Sequence, residues 1–244
     1  MQFIDIIILS NAQNESLRKL TMDCLESLIS SEDEDAIRFN ILVIESANTS
    51  PYDFPNCRTL FPKMSFGYNK YMNLGIRKSS SPLVCLCNND LLFQQGWASA
   101  ILKAFEETPG LKSASPYCRL NHPARNIPSH SGIKFGYGVR DEISGWCILF
   151  KREILKTTGP LDERLTFWYS DNDYAKTLEK YGILHALVTD SFVDHLESQT
   201  LAIRSKKERL MMTGGERYYF EYKWGTRSYF SFLNHKRKQF FKSL

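Results

Sequence analysis

The sequence predicts an α/β fold: an open, mostly parallel sheet flanked by helices, with a helical C-terminal extension. Three observations carry this. Apolar runs of strand length recur at residues 3–9, 39–44 and 83–88. Each ends in a polar cluster: Ser10-Asn11, Glu45-Ser46-Ala47-Asn48 and Asn88-Asn89-Asp90. Segments of helical spacing lie between them, and strand–helix alternation implies right-handed crossovers and a parallel sheet.

The elements follow in order. Residues 3–9 are almost continuously apolar, the pattern of a strand buried on both faces. Apolar residues at 17, 20, 24, 25 and 28 mark one face of a helix over 15–29. Residues 39–44 read as the second strand and 58–61 as a short third. A helix over 69–78, a strand over 83–88 and a helix over 97–107 follow, the last stopped by Pro109-Gly110. A short strand is expected at 112–116. Residues 118–140 break the rhythm with three Gly, two Pro, two His and several basic residues, which marks a long functional loop. Then come a strand at 143–150, a helix at 172–181 ended by Gly182, a strand at 184–193 and a helix at 203–223.

At 43% hydrophobic and 24% charged residues, the composition is that of a globular protein, not a collagen-like or disordered one. No apolar run approaches the roughly 20 residues of a membrane-spanning helix. The N-terminus lacks a basic segment and Asp5 interrupts its apolar run, so it does not read as a signal peptide. The six Cys form no C-x-x-C pair, against a zinc ribbon. Cys85 and Cys87 alternate on one strand and read as small buried hydrophobes on one side of it. Without a secretion signal, the cytoplasm is the expected compartment.

The net charge of +4 hides an asymmetry. Residues 1–201 carry 20 Lys and Arg against 24 Asp and Glu, whereas 202–244 carry 11 against 3. The extension also holds 10 of the 32 aromatics. An acidic body thus precedes a basic, aromatic end.

In open α/β sheets, ligands bind beyond the carboxyl ends of the strands, so the polar clusters there are informative. The first glycine is Gly67. That excludes the G-x-G-x-x-G of a dinucleotide fold after the first strand, and no G-x-x-x-x-G-K-[ST] P-loop occurs. The glycine-rich loop of nucleotidyltransferases is missing too. A diphosphate is otherwise held through a divalent cation. Asp90 follows a strand at the ligand edge, and Mg²⁺ or Mn²⁺ needs only one or two protein carboxylates when phosphates supply other oxygens. Asn-Asn-Asp equally suits a plain turn.

The ordered set of segments resembles the family 2 glycosyltransferases, of the nucleotide-diphospho-sugar transferase (GT-A) fold. "DIIILS" and "ILVIESAN" resemble the family's first two strands and their polar ends. "GYNKYMNLGI" resembles its G-x-x-x-x-x-N-x-G helix opening, and "LVCLCNNDLLF" the strand carrying its metal-binding D-x-D. "SGWCILFKREIL" and "GPLDERLTFWYSDNDYAKTLEKYG" resemble the acceptor-side segments, and "VDHLES" the closing histidine segment. The match covers roughly residues 3–200. It implies a catalytic domain over 1–201, with a nucleotide-sugar half (1–117) and an acceptor half (118–201). Residues 202–244, beyond the match, are expected to form a helical extension packed on it.

The reaction implied moves a hexose or pentose from a nucleotide diphosphate sugar, most commonly a UDP-sugar, to an acceptor hydroxyl, with inversion. The resemblance makes Asp171 the catalytic base, with Asp173 as its support or an acceptor contact. Asp90 and His195 become ligands of Mg²⁺ or Mn²⁺. Glu45, Ser10, Asn11, Gly67, Asn69, Asn73, Asn88 and Asn89 are expected on the nucleotide sugar, and Gly145 and Trp146 under the sugar or acceptor. Asp162-Glu163 matches a family pair and reads as structural. Other readings stand beside these: helix capping for Asp171, turn chemistry for the Asn residues, a core position for Trp146. The chain departs from the family at Asn88, Ser170, Glu197 and Ser198, which bears mainly on metal dependence.

The acceptor stays open between a glycan or lipid-linked saccharide and hydroxymethylated bases of DNA, as in some bacteriophage enzymes. For DNA, the basic aromatic end and Arg119, His122, Arg125 and His130 would be the contacts. The extension also suits a membrane surface or simple packing on the body. A non-catalytic sugar-nucleotide binding module is the remaining alternative.

Overall fold

The computed structural model describes residues 1–47, 50–196 and 206–243. Nine strands are found among these residues: β1 (Gln2–Ser10), β2 (Ile37–Glu45), β3 (Cys57–Leu60), β4 (Leu83–Cys87), β5 (Leu91–Phe93), β6 (Leu111–Tyr117), β7 (Ile133–Phe135), β8 (Cys147–Lys151) and β9 (Leu184–His195). The helices are α1 (Glu15–Ile29), α2 (Tyr68–Arg77), α3 (Trp97–Glu107), α4 (Leu155–Thr158), α5 (Ser170–Tyr181), α6 (Lys206–Lys223) and α7 (Tyr229–Ser243).

The sheet runs β3-β2-β1-β4-β8-β6-β9-β5, with β7 also on β9. From β3 to β9, six strands point one way, and β8 alone opposes its neighbours β4 and β6. The short β5 and β7 add antiparallel edges to β9. This is the mostly parallel α/β sheet that the apolar runs predict.

Alternation along the strands sorts the two faces. Ile4, Ile6, Ile8, Cys85 and Cys87 face α1 and α3, meeting Cys24, Leu25, Leu28, Trp97 and Ile101. Ile7, Leu42, Ile44, Val84 and Leu86 face α2 and α5, meeting Met72, Ile76, Tyr174 and Leu178. Each such side chain, once buried, contributes about 1.5–3 kcal/mol. Gly75 lets α2 lie flat on β1, because a Cβ there would sit 2.5 Å from Ile7 Cγ2. Asn14 starts α1, its Oδ1 accepting from the Leu17 amide at 2.9 Å.

Three expectations need correction. The strand expected at 143–150 begins only at Cys147. Ile143 makes an isolated bridge with Val139 instead, because Ser144–Trp146 turn at the ligand edge. The 118–140 loop contains β7 and a 3-10 turn at Pro123–Arg125. The strand β5, directly after Asp90, was not expected, since three residues are too few for a periodic signal. The start of the helix expected at 203–223, and the 201/202 boundary, lie outside the described residues.

Among the described residues, no helix is long and apolar enough to cross a membrane.

Candidate functional site

The parallel strands deliver their polar ends to one edge. Ser10 pairs with Glu45 in register across β1 and β2, and β4 ends beside them at Cys87, opposite Ile8. Glu45 is 1% exposed. Its Oε1 accepts from the amides of Ala12 (3.0 Å) and Ala47 (2.8 Å), and its Oε2 from the Tyr52 hydroxyl (3.0 Å). Ser10 Oγ lies 2.9 Å from Thr21 Oγ1 and 3.1 Å from Tyr52 Oη. Both residues therefore lock the loops after β1 and β2 together. Asn11 lies beyond this brace, half-buried.

The α2 residues behave similarly. Gly67 precedes the helix with extended backbone (φ −168°). Asn69 Nδ2 donates to the Asp162 carbonyl at 2.9 Å. Asn73 Nδ2 donates to the Leu161 carbonyl (2.8 Å) and Glu163 Oε1 (3.1 Å), while its Oδ1 accepts from the Leu161 amide (3.0 Å). These buried amides anchor the 161–163 segment to α2.

Past β4 the chain turns through Asn88, Asn89 and Asp90. The Asn88 amide donates to the Trp146 carbonyl (2.9 Å), and Asn89 Nδ2 donates to Thr21 Oγ1 (2.8 Å). Asp90 then enters β5, which pairs antiparallel with the end of β9, Leu91 opposite His195. This hairpin-like pairing joins two residues far apart in sequence. Asp90 Oδ1 and His195 Nε2 approach to 3.3 Å. Both atoms are buried, and neither makes a hydrogen bond among the described residues. Their separation permits an ion pair, but their alignment is not that of a hydrogen bond. A buried carboxylate oxygen and imidazole nitrogen without a hydrogen-bond partner, converging on one point, suit a divalent cation: the carboxylate serves Mg²⁺ or Mn²⁺, and the imidazole adds a nitrogen donor better matched to Mn²⁺ than to the harder Mg²⁺.

Trp146 packs on the histidine of this pair. Its ring stacks on His195 with centroids 5.5 Å apart and planes 13° from parallel. Beneath lie the thiols of Cys85, Cys87 and Cys147, with Sγ separations of 3.3, 3.7 and 4.0 Å. All three are fully buried, and burial pushes the Cys87 and Cys147 thiols well above their ordinary range. Cys85 and Cys87 share a face as expected. Cys147 joins them because it lies opposite Cys87 across β4 and β8.

Gly145 connects this corner to Asp171, at the start of α5. A Cβ on Gly145 would lie 2.7 Å from Asp171 Cβ. The Gly145 carbonyl accepts from the Tyr68 hydroxyl at 3.3 Å. Burial raises the Asp171 carboxyl above its ordinary value, opposed by the Asn172 amide (2.8 Å) and the charge of exposed Arg140. Burial, with the nearby Cys87 and Asp171, also pushes the Tyr68 phenol up. Asp173, two residues on, is 4% exposed. Its carboxylate takes the Lys223 ammonium (2.7 Å) and the Trp224 Nε1–H (2.9 Å). Both partners come from the end of α6 and the residue after it.

Sequence reasoning missed several residues around Asp171. Ser144 Oγ, Trp168 Nε1 and Ser170 Oγ are buried without a hydrogen-bond partner among the described residues. A polar network fixes the wall behind them. Ser113 Oγ lies 2.8 Å from Tyr174 Oη and 2.8 Å from His185 Nδ1, and Ser115 Oγ accepts from the Ser144 amide at 3.0 Å. Burial lowers His185 to a pKa of about 4, so it stays neutral. Serines alternating on β6 were the only sequence signal for this network.

The loop cations expected to face DNA are engaged within the chain. Arg119 pairs with Asp194, Arg125 with Asp141, and His130 with Asp190 (2.8 Å). His122 is buried and accepts from the Cys118 amide at 2.7 Å. The outline of a DNA-facing loop therefore lacks free cations at these four positions.

No family model matches the chain, and no curated protein does. Solved structures do. The chain is similar to S. aureus TarS 1–349, solved with UDP-GlcNAc (TM-score 0.58, 14% identity over 84% of this chain and 62% of that one). It is similar to the mannosyltransferase PcManGT from Pyrobaculum calidifontis, solved with GDP-Man and Mn²⁺ (0.63, 15%, 92% and 64%). It is also similar to GalNAc-T7, solved with UDP, GalNAc and Mn²⁺ (0.62, 11%, 90% and 50%). The chain thus spans between half and just under two thirds of these proteins. These likenesses show a fold of the GT-A type.

Proposed function

We propose that the chain is a metal-assisted, inverting glycosyltransferase that moves a hexose or pentose from a UDP-sugar to a hydroxyl of a glycan or lipid-linked saccharide. One observation carries this reading: Asp90 Oδ1 and His195 Nε2, 3.3 Å apart and without a hydrogen-bond partner among the described residues, stand one stacked tryptophan and one glycine away from the half-buried Asp171. That arrangement answers both halves of the barrier.

The leaving diphosphate develops negative charge. Asp90 and His195 would hold Mg²⁺ or Mn²⁺, which supplies Lewis-acid stabilisation to the phosphate oxygens when bound. The attacking hydroxyl must lose a proton. Asp171 accepts it at a carboxylate oxygen, a role worth about 10²–10⁴-fold. A base on the face opposite the leaving group gives inversion.

The remaining residues shape the pocket. Asn11, Asn88 and Asn89 line the donor's edge, while Ser10, Glu45, Asn69 and Asn73 hold its walls, with Gly67 starting α2. Trp146 offers a ring face to the sugar, and Gly145 leaves room for Asp171. The partnerless Ser144, Trp168 and Ser170 groups supply hydrogen bonds to substrate hydroxyls. Residues 1–201 form the catalytic domain, with 202–244 as an extension packed on it. Six free cysteines suit the cytoplasm.

A thermal-shift screen with UDP-, GDP- and dTDP-sugars, with and without Mn²⁺, tests the donor. Transfer assays on glycans and on hydroxymethylated DNA then test the acceptor. A UDP-sugar that stabilises only with Mn²⁺, followed by transfer to a glycan, supports the reading. Transfer to DNA alone would replace the acceptor, and no stabilisation by any sugar nucleotide would end the proposal.

A further inference from the structure

The basic extension carries an unexpected stripe. On α6 and the residue just past its end, Glu216, Tyr219, Phe220, Lys223 and Trp224 recur at i, i+3, i+4, i+7 and i+8, the spacing of one helix face. Every one of them touches the segment 162–173, which leads into α5 and carries Asp171. The Glu216 carboxylate accepts from the amides of Thr166 (2.9 Å), Phe167 (3.0 Å) and Trp168, and from the Thr166 hydroxyl. Tyr219 Oη donates to Asp162 Oδ2 at 2.6 Å. Phe220 stacks on Tyr169, centroids 5.1 Å apart. Lys223 Nζ lies 3.0 Å from Asp162 and 2.7 Å from Asp173, and Trp224 Nε1 donates to Asp173 Oδ1 at 2.9 Å.

The segment needs this help. Successive amides at 166, 167 and 168 point at one anion, an arrangement that requires negative charge to fill it. Tyr169 is held at φ 62°, the left-handed region that costs a non-glycine residue about 1–3 kcal/mol and persists only when its surroundings fix it. α5 starts without a side-chain cap. The segment's own sequence therefore does not determine the approach of Asp171 to Gly145.

We propose that the α6 face Glu216–Trp224 positions Asp171, making Glu216, Lys223 and Trp224 positioning residues of the transfer site; this rests on the glycosyltransferase reading. The extension is then part of the catalytic apparatus through α6. Displacing a reacting group by about 1 Å costs on the order of 10²-fold in rate, so small shifts of this segment are felt in turnover.

The test uses the full chain with Lys223→Met, Lys223→Arg and Trp224→Phe. Hydrogen exchange is read first, without substrate: Lys223→Met raises exchange at the amides of 166–173 while the amides of β1 and β4 stay as in the wild type. Turnover is read next. Lys223→Met lowers kcat by roughly 10²-fold with the affinity for UDP-sugar and Mn²⁺ unchanged. Lys223→Arg restores most of it, and Trp224→Phe, which loses one hydrogen bond, falls between. Unaltered exchange at 166–173 overturns the proposal. So does unaltered kcat in an active enzyme, or a Lys223→Met variant in which donor affinity falls with kcat. A wild type that binds no sugar nucleotide fails on the underlying reading, a result visible before any variant is made.

Discussion

Gly145 and Asp171 occupy one space: a Cβ on residue 145 would lie 2.7 Å from Asp171 Cβ and 3.0 Å from its Oδ2. Non-bonded carbons essentially never approach that closely, so any side chain at 145 displaces the carboxylate or the turn. Gly145→Ala is expected to fold at a cost of about 1–3 kcal/mol, the usual range for overpacking. It should bind the nucleotide sugar and fail to transfer. Calorimetric donor binding beside a turnover assay checks this; wild-type turnover would separate Gly145 from the site.

The Asp90–His195 contact makes the next prediction. Asp90→Asn keeps the volume and removes the charge. It should weaken Mn²⁺-dependent donor binding by tenfold or more, since loss of even an outer-shell partner costs about 10–100-fold in metal affinity. His195→Gln should act in the same direction. Titration of the donor with and without Mn²⁺ measures both.

Burial raises the Asp171 carboxyl above its ordinary value of 3.8. A general base works only when ionised. Turnover is therefore lost as pH falls through this raised value, and the acid limb of kcat should lie above the ordinary aspartate value. Removing Arg140, whose charge pulls the other way, should move that limb further up. A pH–rate profile of the wild type and Arg140→Met tests the sign.

Asp162 titrates in the opposite sense. Burial alone would raise it, but hydrogen bonds from Arg164, Tyr219 and Lys223 hold its carboxyl well below the usual range. A depressed folded-state pKa contributes stability that is present above the unfolded value and lost as pH falls through the folded one. Asp162→Asn should lower the melting temperature at pH 7 and flatten its decline in acid. Melting curves between neutral pH and pH 3 show whether it does.

The parallel strands, α1, α2, α3 and α5 were legible because their apolar patterns are long and tied to core packing. Asp90, Asp171 and His195 stand out in the sequence as candidates through the motifs around them. Their meeting does not. It depends on β5, three residues long, pairing with the end of β9. The polar braces were also hidden. Asp5 reads as an interruption of an apolar run, yet it is 2% exposed and takes Arg152 at 2.7 Å and the Ser81 amide at 2.6 Å. Glu45, Asn69 and Asn73 read as ligand contacts, whereas their hydrogen bonds go to backbone and side chains of the protein itself, most of them distant in sequence. The C-terminal charge was read as a pointer to the acceptor. Part of it, Lys223, is bound to Asp162 and Asp173 of the body, which a count of charges does not reveal.

The most direct measurement compares the wild type with Asp171→Asn on the same UDP-sugar, Mn²⁺ and glycan acceptor, reading donor affinity and UDP release together. Equal donor affinity with release lost by about 10²-fold or more is the expected result. Release at the wild-type rate from Asp171→Asn, or failure of the wild type to bind any sugar nucleotide in the presence of Mn²⁺, would contradict it.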